Sequence, residues 1–81
     1  MIVRVKLFAG AKQRANAEVI EIQLPEQATV ADLRTAISQQ FPQLTPILRS
    51  ALFAIDTEYR SDSAVIPPQA EVACIPPVSG G

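Results

Sequence analysis

The spacing of apolar residues changes from strand-like to helix-like part way along the chain, and this change limits the folds open to it. In residues 2–8 every second side chain is apolar, as at Val3 and Val5, which is the period of a half-buried strand. Residues 18–24 repeat that period. The intervening segment, residues 9–17, carries polar side chains, so the two strands are predicted to form a β-hairpin with a long turn.

A single amphipathic helix is predicted after the hairpin. Thr29 is placed to cap its first turn, and Asp32 adds negative charge there. The apolar side chains of its buried face recur every three or four residues, at Val30, Leu33, Ile37 and Phe41. Pro42 ends the helix because a proline cannot continue the hydrogen-bonding pattern.

The second half of the chain is predicted to hold several short elements. Residues 43–50 contain a small apolar cluster that predicts one helical turn. Extended segments are predicted at residues 51–55, 64–66 and 71–75, separated by a turn at residues 56–59 and a bend at residues 67–70.

This order of elements indicates the fold class. A hairpin, a helix and then short strands place one main helix on one face of a mixed sheet, the α+β arrangement known as the ubiquitin-like β-grasp. A return strand parallel to the first one completes that arrangement. The 81 residues leave room for one domain, predicted over residues 1–75 and followed by an extended tail over residues 76–81.

The composition excludes most side-chain chemistry. The chain has no histidine and one cysteine, Cys74, so it offers no Ser-His or Cys-His pair and no cysteine metal cluster. A net charge of −1 with scattered cations predicts neither a nucleic-acid nor a membrane partner, and we expect a cytoplasmic protein with no metal site. Cys74 itself is predicted to be a small buried hydrophobe sharing a face with Val72, and not a persulfide-bearing nucleophile, because no cationic neighbour is apparent.

The last six residues, Pro76 to Gly81, differ in character from the rest. They carry no charged side chain and follow directly on a predicted core strand. Two prolines stiffen the base of this tail, and Gly80 and Gly81 let its tip approach another protein's backbone closely. Fully extended, it reaches roughly 20 Å. An ordinary frayed chain end is the alternative, but the complete string Pro-Pro-Val-Ser-Gly-Gly favours a tail that enters a narrow channel of a partner.

At this point the sequence resembles the small subunit of molybdopterin synthase, a sulfur carrier with the ubiquitin-like fold. The segments that carry the resemblance are residues 5–9 (Val-Lys-Leu-Phe-Ala), residues 29–34 (Thr-Val-Ala-Asp-Leu-Arg), residues 71–73 (Glu-Val-Ala) and residues 75–81 (Ile-Pro-Pro-Val-Ser-Gly-Gly). The match is specific in the tail and generic elsewhere. The sequence departs from the family at Pro68-Gln69-Ala70, where many members have a Gly-Asp turn. Here we expect a type I turn with proline early in it.

The resemblance implies the following chemistry. The carboxylate of Gly81 is adenylated by an E1-like enzyme, becomes a thiocarboxylate and delivers sulfur to cyclic pyranopterin monophosphate. The remaining tail residues, Pro76, Pro77, Val78, Ser79 and Gly80, insert into the large synthase subunit. The chain binds no cofactor of its own, since ATP, Mg²⁺ and all catalytic side chains belong to partners, and the family assembles as a heterotetramer of two carriers on a dimer of large subunits.

Two questions stay open from the sequence. Phe8 and Ile75 either contribute to a hydrophobic contact with the large subunit or lie covered beneath the tail or the third strand. The function has three alternatives: a sulfur carrier for thiamin-thiazole or another thio-compound, a ubiquitin-like protein modifier, and a plain interaction module with an inert tail.

Overall fold

The structure is a computed structural model that describes residues 1–77. It contains five strands, three α-helices and one turn of 3₁₀-helix. Their bounds are β1 (Ile2–Leu7), α1 (Ala9–Ala15), β2 (Val19–Gln23), α2 (Val30–Gln40), the 3₁₀ turn (Pro42–Leu44), α3 (Thr45–Leu48), β3 (Leu52–Ile55), β4 (Glu58–Arg60) and β5 (Val72–Ile75).

The strands form one mixed sheet in the order β2-β1-β5-β3-β4. β1 is antiparallel to β2 and parallel to β5, so the first and last strands lie side by side at the centre. β3 is antiparallel to both β5 and β4. The predicted ubiquitin-like β-grasp, with its mixed sheet, is confirmed.

The core lies between the sheet and α2. Alternate side chains of β1 are buried, and those of α2 are buried at the predicted three- and four-residue spacing. The bulkiest fully buried side chains are Phe53, Ile22, Leu33, Ile37, Leu44, Ile66, Val5, Val30 and Val72. The opposite face of the sheet, called the open face below, carries the alternate, exposed set.

The N-terminus of α2 is formed as predicted. The Thr29 hydroxyl accepts a hydrogen bond from the Asp32 amide at 3.2 Å, and the Thr29 amide donates to Asp32 Oδ2 at 2.9 Å. This reciprocal pair is a capping box, which satisfies two amides that the helix leaves without intrahelical partners. The helix ends at Gln40, just before Pro42.

The predicted long turn between β1 and β2 is wrong, because residues 9–15 form helix α1. Its sequence, Ala-Gly-Ala-Lys-Gln-Arg-Ala, includes three alanines and three long polar side chains, all favourable in helices. Ala11 is buried in the core, and Asn16 ends the helix in the left-handed conformation with φ 54°. Small side chains let this helix lie close to the body without an obvious amphipathic pattern.

The predicted turn at residues 56–59 is also too long. The turn consists of Asp56 and Thr57, with φ values of 50° and 70°, and β4 begins at Glu58. Positive φ at both central residues is the geometry of a tight hairpin whose twist matches its strands. The Asp56 carboxylate also accepts a hydrogen bond from the Glu71 amide at 2.9 Å, which ties this turn to the start of β5.

The bend before β5 exists but is not a type I turn. The Ala70 amide donates to the Pro67 carbonyl at 3.3 Å, with Pro68 and Gln69 between them. Gln69 has φ 64°, whereas the third residue of a type I turn has negative φ. A positive φ at the third residue, following proline, is typical of a type II turn. That position usually holds a glycine, and here it holds Gln69, whose backbone is therefore strained.

The remaining short predictions are confirmed. The segment 43–50 contains the helical turn α3, and Val65, in the predicted extended segment, forms a single antiparallel bridge with Thr29. Within residues 1–77 we find no helix that is both long and apolar enough to cross a membrane.

Candidate functional site

The predicted reactive residue lies beyond the part of the chain that the structure describes. Val78, Ser79, Gly80 and Gly81 are outside the described residues, so their predicted roles stay predictions. At the base of the tail, Pro76 is buried and Pro77 is exposed. The buried proline anchors the end of β5 to the body.

The strand that leads into the tail is held on both sides. In β5, Cys74 lies opposite Leu7 of β1 on one side and opposite Phe53 of β3 on the other. The Phe8 amide continues the ladder past the end of β1 by donating to the Cys74 carbonyl at 3.3 Å. A central strand bonded to two neighbours gives the tail a rigid point of departure.

The open face is apolar near this point. Phe8, Leu52 and Tyr59 are 44%, 55% and 63% exposed, respectively, which is unusual for side chains of this size. Ile75 lies opposite Leu52 in the β5–β3 pairing. Three of the five large apolar side chains that are exposed in residues 1–77 therefore lie at the end of the sheet from which the tail leaves, whereas Ile2 and Val65 lie elsewhere.

A groove of about 260 Å³ runs across this region of the open face, and we call it the open-face groove. Its lining residues are Lys6, Phe8, Ala54, Thr57, Tyr59, Glu71, Ala73 and Ile75. Phe8 and Ile75, singled out from the sequence, thus belong to one groove. The structure places neither of them in the core, and their contact with a partner stays a prediction.

Sequence reasoning missed Tyr59 and Leu52 as members of this surface. Tyr59 was assigned to a turn, although it belongs to β4 and lies opposite Ala54. Leu52 was assigned to a strand, but the sequence did not indicate which face of the sheet its side chain occupies. The residues of β3 do not alternate between buried and exposed, because Phe53, Ala54 and Ile55 are all buried and only Leu52 is exposed, so the face of Leu52 could not be predicted.

Cys74 behaves as the predicted buried hydrophobe. It is fully buried on the same face as Val72, while Ala73 and Ile75 lie on the open face. Burial raises the pKa of its thiol to about 11, because the thiolate would lose its solvation, and the positive charge of Arg34 opposes this in lesser measure. The expectation that no cation lies nearby is therefore wrong, but the thiol is protonated at neutral pH all the same.

The other cavities lined by residues 1–77 contain no group of side chains suited to catalysis. One cavity of about 560 Å³ lies between α1 and the start of β2, and Lys12 and Glu18 in its wall form an ion pair at 3.1 Å. Among residues 1–77 no three histidine, cysteine or carboxylate side chains come together as metal ligands.

Solved structures with the same fold cover this chain from end to end. SAMP1 from Haloferax volcanii superposes with a TM-score of 0.86 at 24% identity, covering all of both chains, which shows the shared fold. The putative molybdopterin converting factor subunit 1 from Pyrococcus furiosus gives 0.84 at 27% identity over 96% of this chain and 99% of that one. A chain of a complex of subunits 1 and 2 of molybdopterin-converting factor from Helicobacter pylori gives 0.70 at 23% identity, with full coverage of both chains.

Curated relatives match over nearly the same length. The molybdopterin synthase sulfur carrier subunit of Dictyostelium discoideum is 35% identical over 96% of this chain and 94% of that protein. The subunit of the same name from Arabidopsis thaliana is 30% identical over 98% of this chain and 82% of that protein. The model of the ThiS family matches residues 5–81, so the match includes the Gly80-Gly81 end. The chain therefore belongs to the ThiS family.

Proposed function

We propose that this protein is the sulfur carrier of molybdenum cofactor biosynthesis and that Gly81 is its reactive residue. The observation that carries the proposal is the match to molybdopterin synthase sulfur carrier subunits along almost the whole chain, in a family match that extends to Gly81. The absence of histidine from the sequence fits a carrier, because a carrier needs an activated carboxylate and no catalytic side chain of its own.

The first step activates the tail. The carboxylate of Gly81 attacks the α-phosphorus of ATP on an E1-like enzyme, pyrophosphate leaves, and a glycyl adenylate forms. Sulfur at the oxidation level of sulfide then attacks the carbonyl carbon and displaces AMP. The product is a thiocarboxylate at Gly81, and the ATP and Mg²⁺ ligands belong to the partner enzyme.

The second step delivers the sulfur. The thiocarboxylate sulfur attacks a substrate carbon that bears an oxygen substituent, the carbon–oxygen bond breaks, and the oxygen leaves with the bonding electron pair. The tail is then joined to the substrate through a thioester. Water cleaves that thioester, so the sulfur stays on the substrate and the Gly81 carboxylate is restored. A dithiolene contains two sulfurs, so two loaded carriers are consumed for each product.

The described part of the chain supplies the docking surface for this chemistry. The large synthase subunit covers the apolar end of the open face, with Phe8 and Ile75 in the contact, while the tail enters its active site. Support comes from Ile75, the last residue of β5, which lines the open-face groove, and from the exposure of Phe8. Two carriers bind a dimer of large subunits in this proposal, and the protein works in the cytoplasm.

Other sulfur-carrier and modifier functions use the same kind of fold and tail. A thiamin-thiazole carrier or a ubiquitin-like modifier needs the same Gly-Gly end, so the fold does not distinguish them. The names of the curated relatives favour the molybdopterin function. An inert tail is the alternative that a test of Gly81 separates most directly.

The test uses synthase reconstituted from this carrier, the large subunit, the adenylating enzyme, ATP and a sulfur source. One variant lacks Gly81, and a second has an alanine added after it, which turns the reactive carboxylate into a peptide bond. Both variants are expected to keep the native circular dichroism spectrum and to form no dithiolene product. Full product formation by the extended variant would contradict the proposed mechanism.

A further inference from the structure

Lys6 is an exposed cation in an apolar part of the open face. It lies on β1 directly opposite Val19 of β2 and Ala73 of β5, so its nearest cross-strand neighbours are both apolar. Phe8 lies two residues further along the same face, and both side chains line the open-face groove. The ammonium group therefore stands within the surface that a partner is proposed to cover.

Lys6 has no ion-pair partner among residues 1–77. The neighbouring cations do: Arg4 pairs with Glu21 at 3.9 Å and Lys12 pairs with Glu18 at 3.1 Å. Glu71 lines the same groove without forming an ion pair with Lys6. Lys6 is thus a cation that has no ion pair among residues 1–77 and lies at the proposed docking surface.

We propose that Lys6 determines partner specificity by pairing with a carboxylate on the protein that covers the open face. A partner that seats an apolar side chain in the groove removes water from the Lys6 ammonium group. Losing that hydration without compensation is costly, and a carboxylate placed opposite restores the balance. Proteins without an acidic group at that position are then rejected even if their apolar surface fits.

This inference rests on the proposed function in one respect, the identity of the occupant. The occupant is the large synthase subunit, and its contact surface combines an apolar side chain for the groove with an aspartate or glutamate facing Lys6. The lysine adds selectivity that the apolar residues alone do not provide, since any apolar patch fits another of similar shape.

The first test compares charge removal at two lysines by calorimetric titration of the large subunit. Lys6→Met keeps the apolar stem and removes the charge, and it is expected to weaken binding by at least about 30-fold. Lys12→Met is the matched control, because Glu18 already pairs with that lysine, and it is expected to change affinity by less than about threefold. Equal affinities for the Lys6 variant and the unaltered carrier, or equal losses for both variants, would overturn the proposal.

The second test identifies the contact directly. A zero-length carbodiimide joins an amine to a carboxylate only when the two are in contact, and Lys6 and Lys12 are the only lysines in the chain. Tandem mass spectrometry of the treated complex is expected to find Lys6 joined to an aspartate or glutamate of the large subunit. Cross-links through Lys12 with none through Lys6 would contradict the proposal, and Lys6→Arg is expected to bind normally and lose the cross-link.

Two controls separate this inference from the proposed function. Phe8→Asp tests the apolar contact, and intact mass after sulfur loading tests the tail. If the carrier loads sulfur and Phe8→Asp weakens binding while Lys6→Met does not, the specificity proposal fails and the carrier function stands. If the unaltered chain neither loads sulfur nor binds the large subunit, the proposed function fails and this inference with it.

Discussion

At the scale of single residues, strain is concentrated in tight turns that lack glycine. Thr57 shows this most clearly, because a β-branched side chain occupies a position with φ 70° in the two-residue turn between β3 and β4. Gln69 at φ 64° is a second case. Neither could be predicted from the sequence, since a positive φ is normally recognised by a glycine or asparagine at the position.

The turn predicts a stabilising substitution. Thr57→Gly removes the steric conflict and is expected to raise the free energy of unfolding by about 1 kcal/mol. The loss of the exposed hydroxyl's hydrogen bond to the Asp56 carbonyl offsets only part of this gain. Urea denaturation measures the effect, with Thr57→Ala as the control, which retains the conflict at Cβ. A free energy of unfolding below that of the unaltered protein would show that the turn is not strained.

Cys74 predicts a loss of stability at high pH. Its pKa is raised from 9.0 to about 11 in the folded protein, so the unfolded chain loses the thiol proton first. The stabilisation is therefore complete below pH 9 and is lost as the pH rises to about 11. Over that interval the folded state loses up to about 2 to 3 kcal/mol through this group.

The contribution of Cys74 can be isolated by comparison with Cys74→Ala, in which the thiol is absent. The difference between the two unfolding free energies is expected to shrink steadily from pH 9 to pH 11. All other side chains are common to both proteins. A difference that stays constant over this range would mean that the thiol is not desolvated in the native state.

At the scale of elements, Arg34 joins α2 to the segments that lead into β3 and away from β4. Its Nη1 donates to the carbonyls of Leu48 and, at 2.9 Å, Ala51. Its Nη2 donates to Asp62 Oδ1 at 2.8 Å, and the guanidinium lies 5.0 Å from the centre of the Phe53 ring. One side chain thus holds both segments against the helix.

Removing this charge is expected to destabilise the fold. Arg34→Met keeps apolar contact with Phe53 but leaves two carbonyls without their donor, and we expect a loss of about 2 kcal/mol. Arg49→Met is the matched control, because that exposed arginine has no hydrogen bond of this kind in the described structure, and a change within about 0.5 kcal/mol is expected. Thermal and urea unfolding give both values, and similar effects for the two variants would refute the anchoring role.

Helices and strands with regularly spaced apolar residues or a helix-capping residue could be predicted from the sequence, and those without these features could not. The Thr29 cap of α2 was apparent from the sequence, whereas the reciprocal hydrogen bond from the Thr29 amide to Asp32 was not. Helix α1 was missed because its alanines and glycine give no apolar stripe, and its packing depends on small size instead. Strand β4 was missed because Glu58, Tyr59 and Arg60 are all exposed, so an edge strand of this kind leaves no alternation of burial in the sequence.

At the scale of the whole molecule, the fold brings the base of the tail, Pro76 and Pro77, and the apolar part of the open face to one end of the sheet. The parallel pairing of β1 with β5 is what places Phe8 beside Ile75, although 66 residues separate them along the chain. The proposed function could be inferred from the tail motif, because the chemistry that the motif implies resides in a backbone carboxylate. The apolar part of the open face was only partly predictable, since Tyr59 and Leu52 join it through strand pairing.

The central claim is that Gly81 carries sulfur, and intact-protein mass spectrometry tests it most directly. The carrier is incubated with the adenylating enzyme of its host, ATP and a sulfur source, and the account predicts a mass gain equal to replacing one oxygen by sulfur. Oxidation of Met1 or Cys74 adds nearly the same mass, so tandem spectra must place the increment on Gly81. No increment on Gly81, in an incubation where the enzyme demonstrably forms the glycyl adenylate, would contradict the account.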